Sequence, residues 1–357
     1  MSLQKILVLL CVIAGIHILV IYGCMHSGKS DTPEKKAAEP DFAAVFEQLF
    51  PANAPERGEQ QQSPDKFQKL FRKRTVSKVK PWVYGKSFSL PPNIQKQSKR
   101  AVSAIIVDLN TRQVLWEKNS RTPVAIASLT KLMTALLVAE KLDSDPSFNP
   151  DTEVTFSPTA AAAAYRKFNA GDKLTIRDLI MALMVGSAND AAVQLAECVN
   201  GSNAEFIRQM NLRAEKMGLT SANFNSPNGL PQGKAKINSK ASAADVLHLC
   251  EAVMKYKIIM DACGENHARL SNGKEFFTTN GLLLHPRKNR SYYRKVPGLI
   301  GFKTGFTNAA GFCLAFGATR NGRTILGCVT GFPSAADRER FCSDLIEWAY
   351  SNAQVKK

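Results

Sequence analysis

A hydroxyl and an amine three residues apart, in Ser128-Leu129-Thr130-Lys131, are the first pair in this sequence that could do chemistry. Positions i and i+3 of a helix share a face, one turn apart. A serine hydroxyl is a weak nucleophile whose proton must be removed, and a neutral lysine amine can take it. Burial near other cations lowers a lysine pKa and supplies that neutral form. Ala125-Ile126-Ala127 before the pair and Leu132-Met133 after it are apolar, so they predict a buried lysine, and a buried lysine needs a reason. The helix start also offers free N–H groups and a positive dipole end to a developing oxyanion. Taken alone, the four residues also describe an ordinary pair on a helix surface. Ser187-Ala188-Asn189 brings a hydroxyl that can relay a proton and an amide that can hold a peptide group through its donor and acceptor; alone it also reads as a helix cap. Lys303-Thr304-Gly305 brings a cation and a hydroxyl able to grip a carboxylate, and a glycine that admits a second backbone; alone it also reads as a surface strand.

Alternating strands and helices must position these groups. Ala101–Asp108 is β-rich, and a turn at Leu109–Arg112 leads to Val114–Glu117, which predicts an opening hairpin. Ala127–Leu142 reads as one helix, without Gly or Pro. Thr175-Ile176-Arg177-Asp178 has the spacing of a capping box and opens a helix to about Val185. Gly186 and Ser187 break it, and a second helix runs from Asp190 to about Val199. Asn203 is expected to cap the next, which ends at Gly218, and Ser242 opens another to about Met254. Val296–Phe302 reads as a strand leading along a cleft into Lys303. Strands Phe312–Thr319 and Thr324–Thr330 flank Asn321-Gly322, a dipeptide suited to the positive φ angles of a two-residue hairpin. In that register Cys313 and Cys328 sit diagonally, which argues against a disulfide. A last helix, Ala336–Tyr350, carries Phe341, Leu345, Ile346 and Trp348. The outer segments thus predict a sheet with helices on it, and residues 145–255 a mostly helical insertion.

The chain has 357 residues, 47 Lys and Arg against 30 Asp and Glu, and a formal net charge of +17. Its 45% hydrophobic content excludes a wholly disordered chain or a multi-span membrane protein. The eight Cys form no Cys-x-x-Cys pair and the five His are scattered, so neither a zinc ribbon nor a metallohydrolase is expected. Residues 6–24 are uncharged and mostly apolar, nearly long enough to cross a hydrocarbon core of about 30 Å. Residues 1–24 read as an uncleaved anchor, with cleavage or lipidation at Cys24 as alternatives. Only four residues precede Lys5, so the domain is expected on the far side of the anchor. Residues 25–94 read as a flexible linker, with a span of roughly 50 Å. Residues 66–100 carry Lys and Arg without Asp or Glu. They read as a solvated tether or as a contact with anionic lipid or wall polymer. Nucleic acid is not an expected partner of a chain anchored this way.

The three motifs occur together and in order, as they do in penicillin-binding proteins and class A β-lactamases. Residues 95–352 resemble the low-molecular-mass penicillin-binding proteins, serine D-Ala-D-Ala carboxypeptidases of bacterial cell walls. The likeness extends through Ala127–Ala135, Ser187–Ala192, Asn225–Leu230 and Gly301–Phe312. It implies an α/β fold of the β-lactamase/transpeptidase type, an antiparallel sheet flanked by helices plus a mostly helical subdomain. It implies Ser128 as the acylated nucleophile, Lys131 as its base, Ser187 as proton relay and Asn189 as the amide-binding group. Lys303 and Thr304 would hold the terminal carboxylate, with Arg338 as a second partner ten residues before Trp348. Gly305 and Phe306 belong to the cleft strand, and the N–H groups of Ser128 and Phe306 would form the oxyanion hole. Peptidoglycan stem peptides are the implied substrates and β-lactams the implied covalent inhibitors, with no metal or cofactor. The domain would lie outside the cytoplasm, on the periplasmic side of the membrane, held by residues 6–24 in place of the C-terminal β domain and amphipathic helix of many members. The same residues would serve a D,D-endopeptidase acting on crosslinks. A β-lactamase of class A would need a deacylating Glu in a Glu-x-x-x-Asn setting, and none lies between Ser187 and Lys303. A membrane-borne β-lactam sensor would need an output domain that residues 1–5 cannot supply.

Overall fold

The continuous apolar run at the start of the domain becomes a central strand, β1 (Ser103–Asp108), buried along its whole length. The computed structural model describes residues 78–85, 88–165, 167–283 and 296–351, all within the unit Phe67–Lys357. The proposed anchor at 6–24 and most of the basic tether lie outside the described residues. β1 pairs with β2 (Val114–Lys118) on one side and with β11 (Arg323–Phe332), from the chain's far end, on the other. Beyond β11 lie β10 (Gly311–Arg320) and β9 (Leu299–Thr307). The sheet order is β2-β1-β11-β10-β9, antiparallel throughout, with β9 on an edge. Asn321 and Gly322 turn the β10–β11 hairpin at φ 49° and 75°, as their types predict.

Alternation sorts the strand side chains between two cores. Ala104, Ile106, Leu314, Phe316 and Val329 pack with Ile94 of α1 (Pro92–Ser98) and with Phe341, Leu345 and Ile346 of the last helix, Ala335–Ser351. Ile105, Val107, Cys313, Ala315 and Cys328 face a larger helical body. That body contains α2 (Lys131–Ser144), α3 (Pro158–Ala161), α4 (Ile176–Met184), α5 (Asn189–Asn200), α6 (Asn203–Met217), α7 (Ala243–Val253) and α8 (Lys257–Gly264). The C-terminal Ala335–Ser351 helix is α9. Three short antiparallel ladders complete the structure: β3 (Val124–Ala125) with β6 (Lys240–Ala241), β4 (Glu153–Thr155) with β5 (Lys173–Thr175), and β7 (His267–Arg269) with β8 (Glu275–Phe277). Cys198, Cys250, Cys263, Cys313, Cys328 and Cys342 are all free thiols.

Local details depart from the sequence expectations in four places. The helix expected from Ala127 begins as a 3-10 turn, Ala127–Thr130, and becomes α-helical only at Lys131. Its first residue, Ala127, has φ 46°, a left-handed entry that the helix pattern does not encode. The cap of α6 is Ser202 rather than Asn203, because Ser202 is extended and its hydroxyl accepts Glu205 N. The insertion is less uniformly helical than expected, since two of the short ladders involve it. Residues 79–85 and 88–94, expected to be flexible linker, pack on the domain. Val83 N donates to Arg112 O at 2.9 Å and Phe88 N to Leu115 O at 3.0 Å, so the segment runs along the β2 edge. Trp82 is buried between the Arg112 guanidinium, 4.2 Å from its ring, and the stacked His248 ring at 4.6 Å. Three apolar anchors, Trp82, Leu90 and Ile94, outweigh the basic composition there.

The capping box of α4 forms as its sequence predicts: Thr175 Oγ1 accepts Asp178 N and Asp178 Oδ2 accepts Thr175 N. Asp178 also accepts Ser271 N and Ser271 Oγ, at 3.0 and 2.5 Å, which ties this helix to the β7–β8 loop. Thr175→Ala is expected to lower stability by about 1 kcal/mol in urea denaturation, and Asp178→Ala by more, because it strips both ends of the tie.

Candidate active site

Ser128 lies in the 3-10 turn that precedes α2, and Lys131 is the first residue of that helix. The turn is held between two glycines on other elements. A methyl group at Gly229, where φ is 81°, would lie 2.0 Å from Ala127 O, so no other residue fits there without moving the turn. A methyl at Gly305 would lie 3.1 Å from both Ile126 O and Ser128 N, so β9 approaches the serine's own peptide group. Lys131 is completely buried. Its Nζ donates to Ser128 Oγ at 2.8 Å, Asn189 Oδ1 at 2.8 Å and Asn228 O at 2.7 Å. Two of these partners are carbonyl oxygens and can only accept. When the amine is neutral, its two N–H bonds serve those oxygens and its lone pair is left for the Ser128 hydroxyl. Burial holds the Lys131 pKa well below the ordinary lysine range; the Lys303 charge pushes the same way and Asp190 opposes it.

Asn189 is the first residue of α5, and its Nδ2 donates to Ala164 O at 3.2 Å. The next residue, Asp190, is fully buried, and its Oδ2 accepts the N–H groups of Lys167 and, at 2.8 Å, Phe168. The start of α5 thus holds Ala164, Lys167 and Phe168 on one side and Lys131 on the other. Ser187 occupies that junction with φ 54°, half-buried. Gly186 beside it has no room for a side chain, since a methyl would lie 2.0 Å from the Phe276 ring.

The edge strand β9 forms the opposite wall. Lys303 is buried, and its Nζ donates to Thr304 O at 3.1 Å. Burial lowers its pKa to about 7; the Cys263 thiol opposes the shift and the Arg338 charge adds to it. Thr304 is nearly buried and its hydroxyl meets that of Thr279. Phe306, 51% exposed, stands at the strand's end with its ring 4.3 Å from that of Phe312. Arg338 is buried below the strands: its guanidinium donates to Cys313 O at 2.9 Å and to Glu339 Oε1 at 2.7 Å. Ser128, Lys131, Asn189 and Gly305 are therefore brought together from separate elements. The sequence reading gave no role to the Asn228 carbonyl, to Gly229 or to Thr279. Asn228 and Gly229 fall within the Asn225–Leu230 block, while a backbone acceptor and one threonine after β8 leave no distinguishing mark in a single sequence.

A serine paired with a buried lysine, set between a helical body and the edge of an antiparallel sheet, defines an active-serine enzyme of the penicillin-binding type. The chain belongs to the peptidase S11 family, the D-alanyl-D-alanine carboxypeptidases, whose profile matches residues 91–333. It is 30% identical over 258 residues to the D-alanyl-D-alanine carboxypeptidase DacF of Bacillus subtilis, covering 71% of this chain and 63% of that protein. It is also 30% identical over 228 residues to a D-alanyl-D-alanine endopeptidase of Escherichia coli, covering 62% of this chain and 68% of the relative. The chain thus spans just under two thirds of the length of DacF. Penicillin-binding protein D2 of Listeria monocytogenes, solved in its cefotaxime-bound form, superposes with a TM-score of 0.61 at 26% identity, over 71% of this chain and 98% of that one. The fold is that of these penicillin-binding proteins, as the motifs imply.

The two buried lysines also determine how stability responds to pH. In the unfolded chain Lys303 keeps its proton up to about 10.5, while in the folded chain it loses it at about 7. Above pH 7 the unfolded state therefore binds more protons, and stability rises with pH. Lys131 acts with the same sign. The buried thiols of Cys263 and Cys313, pushed up to about 12 and about 11, reverse the trend above the ordinary thiol pKa of 9. Urea denaturation is expected to show stability rising between pH 7 and 9, with Lys303→Met reducing the rise by about 2 kcal/mol. An unchanged slope in the variant would contradict the assignment.

Proposed function

We propose that this protein is a serine D-Ala-D-Ala carboxypeptidase that trims the terminal D-Ala from peptidoglycan stem peptides. The observation that carries the reading is the buried Lys131 amine, 2.8 Å from Ser128 Oγ with its other two contacts on carbonyl oxygens. Such an amine is a base aimed at one hydroxyl. Ser128 Oγ attacks the carbonyl carbon of the penultimate D-Ala as its proton passes to Lys131 Nζ. The N–H groups of Ser128 and Phe306 receive the oxyanion. The C–N bond then breaks, the terminal D-Ala leaves with a proton on its nitrogen, and an ester remains on Ser128. Water hydrolyses that ester and restores the serine. Ser187 relays the proton to the leaving nitrogen, and Asn189 holds the substrate amide.

Lys303 and Thr304 take the terminal carboxylate, and the buried Arg338 adds positive potential behind them. A bound carboxylate favours the cationic form of Lys303. A D,D-endopeptidase acting on crosslinks is the second reading, supported by the endopeptidase relative. It uses the same residues and differs only in what occupies the leaving-group side.

β-Lactams would acylate Ser128 in the same way, a reading supported by the β-lactam-bound structural relative. Residues 6–24 would anchor the chain in the cell membrane, with the enzyme on the extracytoplasmic side, where its substrate lies. The basic stretch 66–100 would adhere to anionic wall polymer or lipid. Among the described residues no helix is long and apolar enough to cross a membrane, so this part rests on the sequence of residues 6–24.

The purified full chain is expected to release free D-Ala from a diacyl-Lys-D-Ala-D-Ala peptide. Ser128→Ala should abolish release, and Lys131→Met should lower kcat/KM by at least about 1000-fold. If no D-Ala appears, the carboxypeptidase reading fails, and a crosslinked dimer cleaved in its place would establish the endopeptidase. Mass spectrometry after penicillin treatment should find a long-lived penicilloyl group on the Ser128 peptide; rapid turnover of penicillin would point to a β-lactamase.

A further inference from the structure

We infer that Thr279, a residue outside all three motifs, is a positioning residue that turns the Thr304 hydroxyl toward the substrate carboxylate. The inference rests on the proposed role of Thr304 and adds to it a group that fixes its orientation. Among the described residues the Thr304 side chain meets one hydrogen-bonding partner, the Thr279 hydroxyl. Thr304 is a buried residue, 6% exposed.

A hydroxyl has one proton and two lone pairs. If Thr304 spends its proton on Thr279, it turns a lone pair toward the cleft and repels an anion. If Thr279 donates to Thr304, the Thr304 proton is free to point into the cleft, and the donation polarises it. Thr279 is itself exposed, so solvent can serve its own oxygen lone pairs. With an anion bound, the order solvent, Thr279, Thr304, carboxylate satisfies every proton in one direction.

Thr279 is held for this task. Thr278 N donates to Asn266 O at 2.9 Å, and Asn280 N to Thr278 Oγ1 at 3.1 Å. Asn280 Oδ1 accepts Leu282 N at 3.0 Å. Gly281 N donates to Glu339 Oε1 at 2.8 Å, the same buried oxygen that Arg338 contacts. The 278–282 turn is therefore pinned to α9 beneath the sheet while its second residue reaches the edge strand.

The test compares two peptides with the full-length enzyme, one ending in a free carboxylate and one in a carboxamide. Thr279→Val is expected to raise KM about 5-fold for the carboxylate peptide. It should leave kcat within about twofold and KM for the carboxamide unchanged. Thr279→Ser should restore the wild-type KM. Thr279→Val combined with Thr304→Val should be no worse than Thr304→Val alone, because the first residue acts only through the second. Equal losses on both peptides, or a wild-type KM in Thr279→Val while Thr304→Val is impaired, would overturn the inference alone. Thr304→Val with no loss on the carboxylate peptide would instead remove the reading on which it rests. If Thr279→Val fails to fold, Thr279→Ala is read in its place with the same expectations.

Discussion

The full burial of a lysine amine is the constraint from which the rest of this structure follows. An ammonium taken fully out of water is strongly disfavoured unless every proton is matched or the charge is given up. Lys131 is placed where both remedies operate. Three oxygens surround its nitrogen, two of them carbonyl groups that cannot donate back. The second buried cation, Lys303, presses the proton off. The environment thus prepares a base before any substrate arrives, and the helical body and the sheet are the means of holding those partners still.

That requirement explains why the site is assembled from distant parts of the chain. The serine and its amine lie at the start of α2, the amide oxygen comes from the start of α5, and the backbone oxygen from the loop before Gly229. The wall opposite the helical body is a sheet edge. An edge strand has unpaired backbone groups on its free side, so β9 can both close the cleft and offer N–H and C=O groups to an extended peptide. Two glycines make the closure possible: at Gly229 and Gly305 any side chain would press on the peptide groups that flank Ser128. The strain of an alanine in left-handed conformation at Ala127 is sustained by the same packing.

Behind the cleft, two buried charges have close partners. Arg338 is matched by Glu339, which also fixes the turn carrying Thr279. Asp190 is matched by two backbone N–H groups of the loop beyond Asn189. The cleft walls are thus tied to the interior by buried polar contacts. Residues 79–85 and 88–94 play a different part, lying along the β2 edge.

Much of this was legible in the residues alone. Ser128 and Lys131 lie within one helical turn, so local geometry brings them together whatever the fold. The Thr175 capping box and the Asn321-Gly322 turn are likewise local rules written in neighbouring residues. The ordered motifs also pointed to the family, because three weak signals in sequence order make one strong one. Contacts between residues far apart in the chain were not legible. Asn228 is bonded through its backbone oxygen, which carries no residue signature, and Thr279 gains its role only where a turn after β8 meets the edge strand. The left-handed entry at Ala127 and the docking of Trp82 between Arg112 and His248 likewise depend on neighbours supplied by remote segments. Short-range hydrogen bonding and periodicity reside in the sequence itself, whereas the desolvation that makes Lys131 a base exists only once the chain has closed around it.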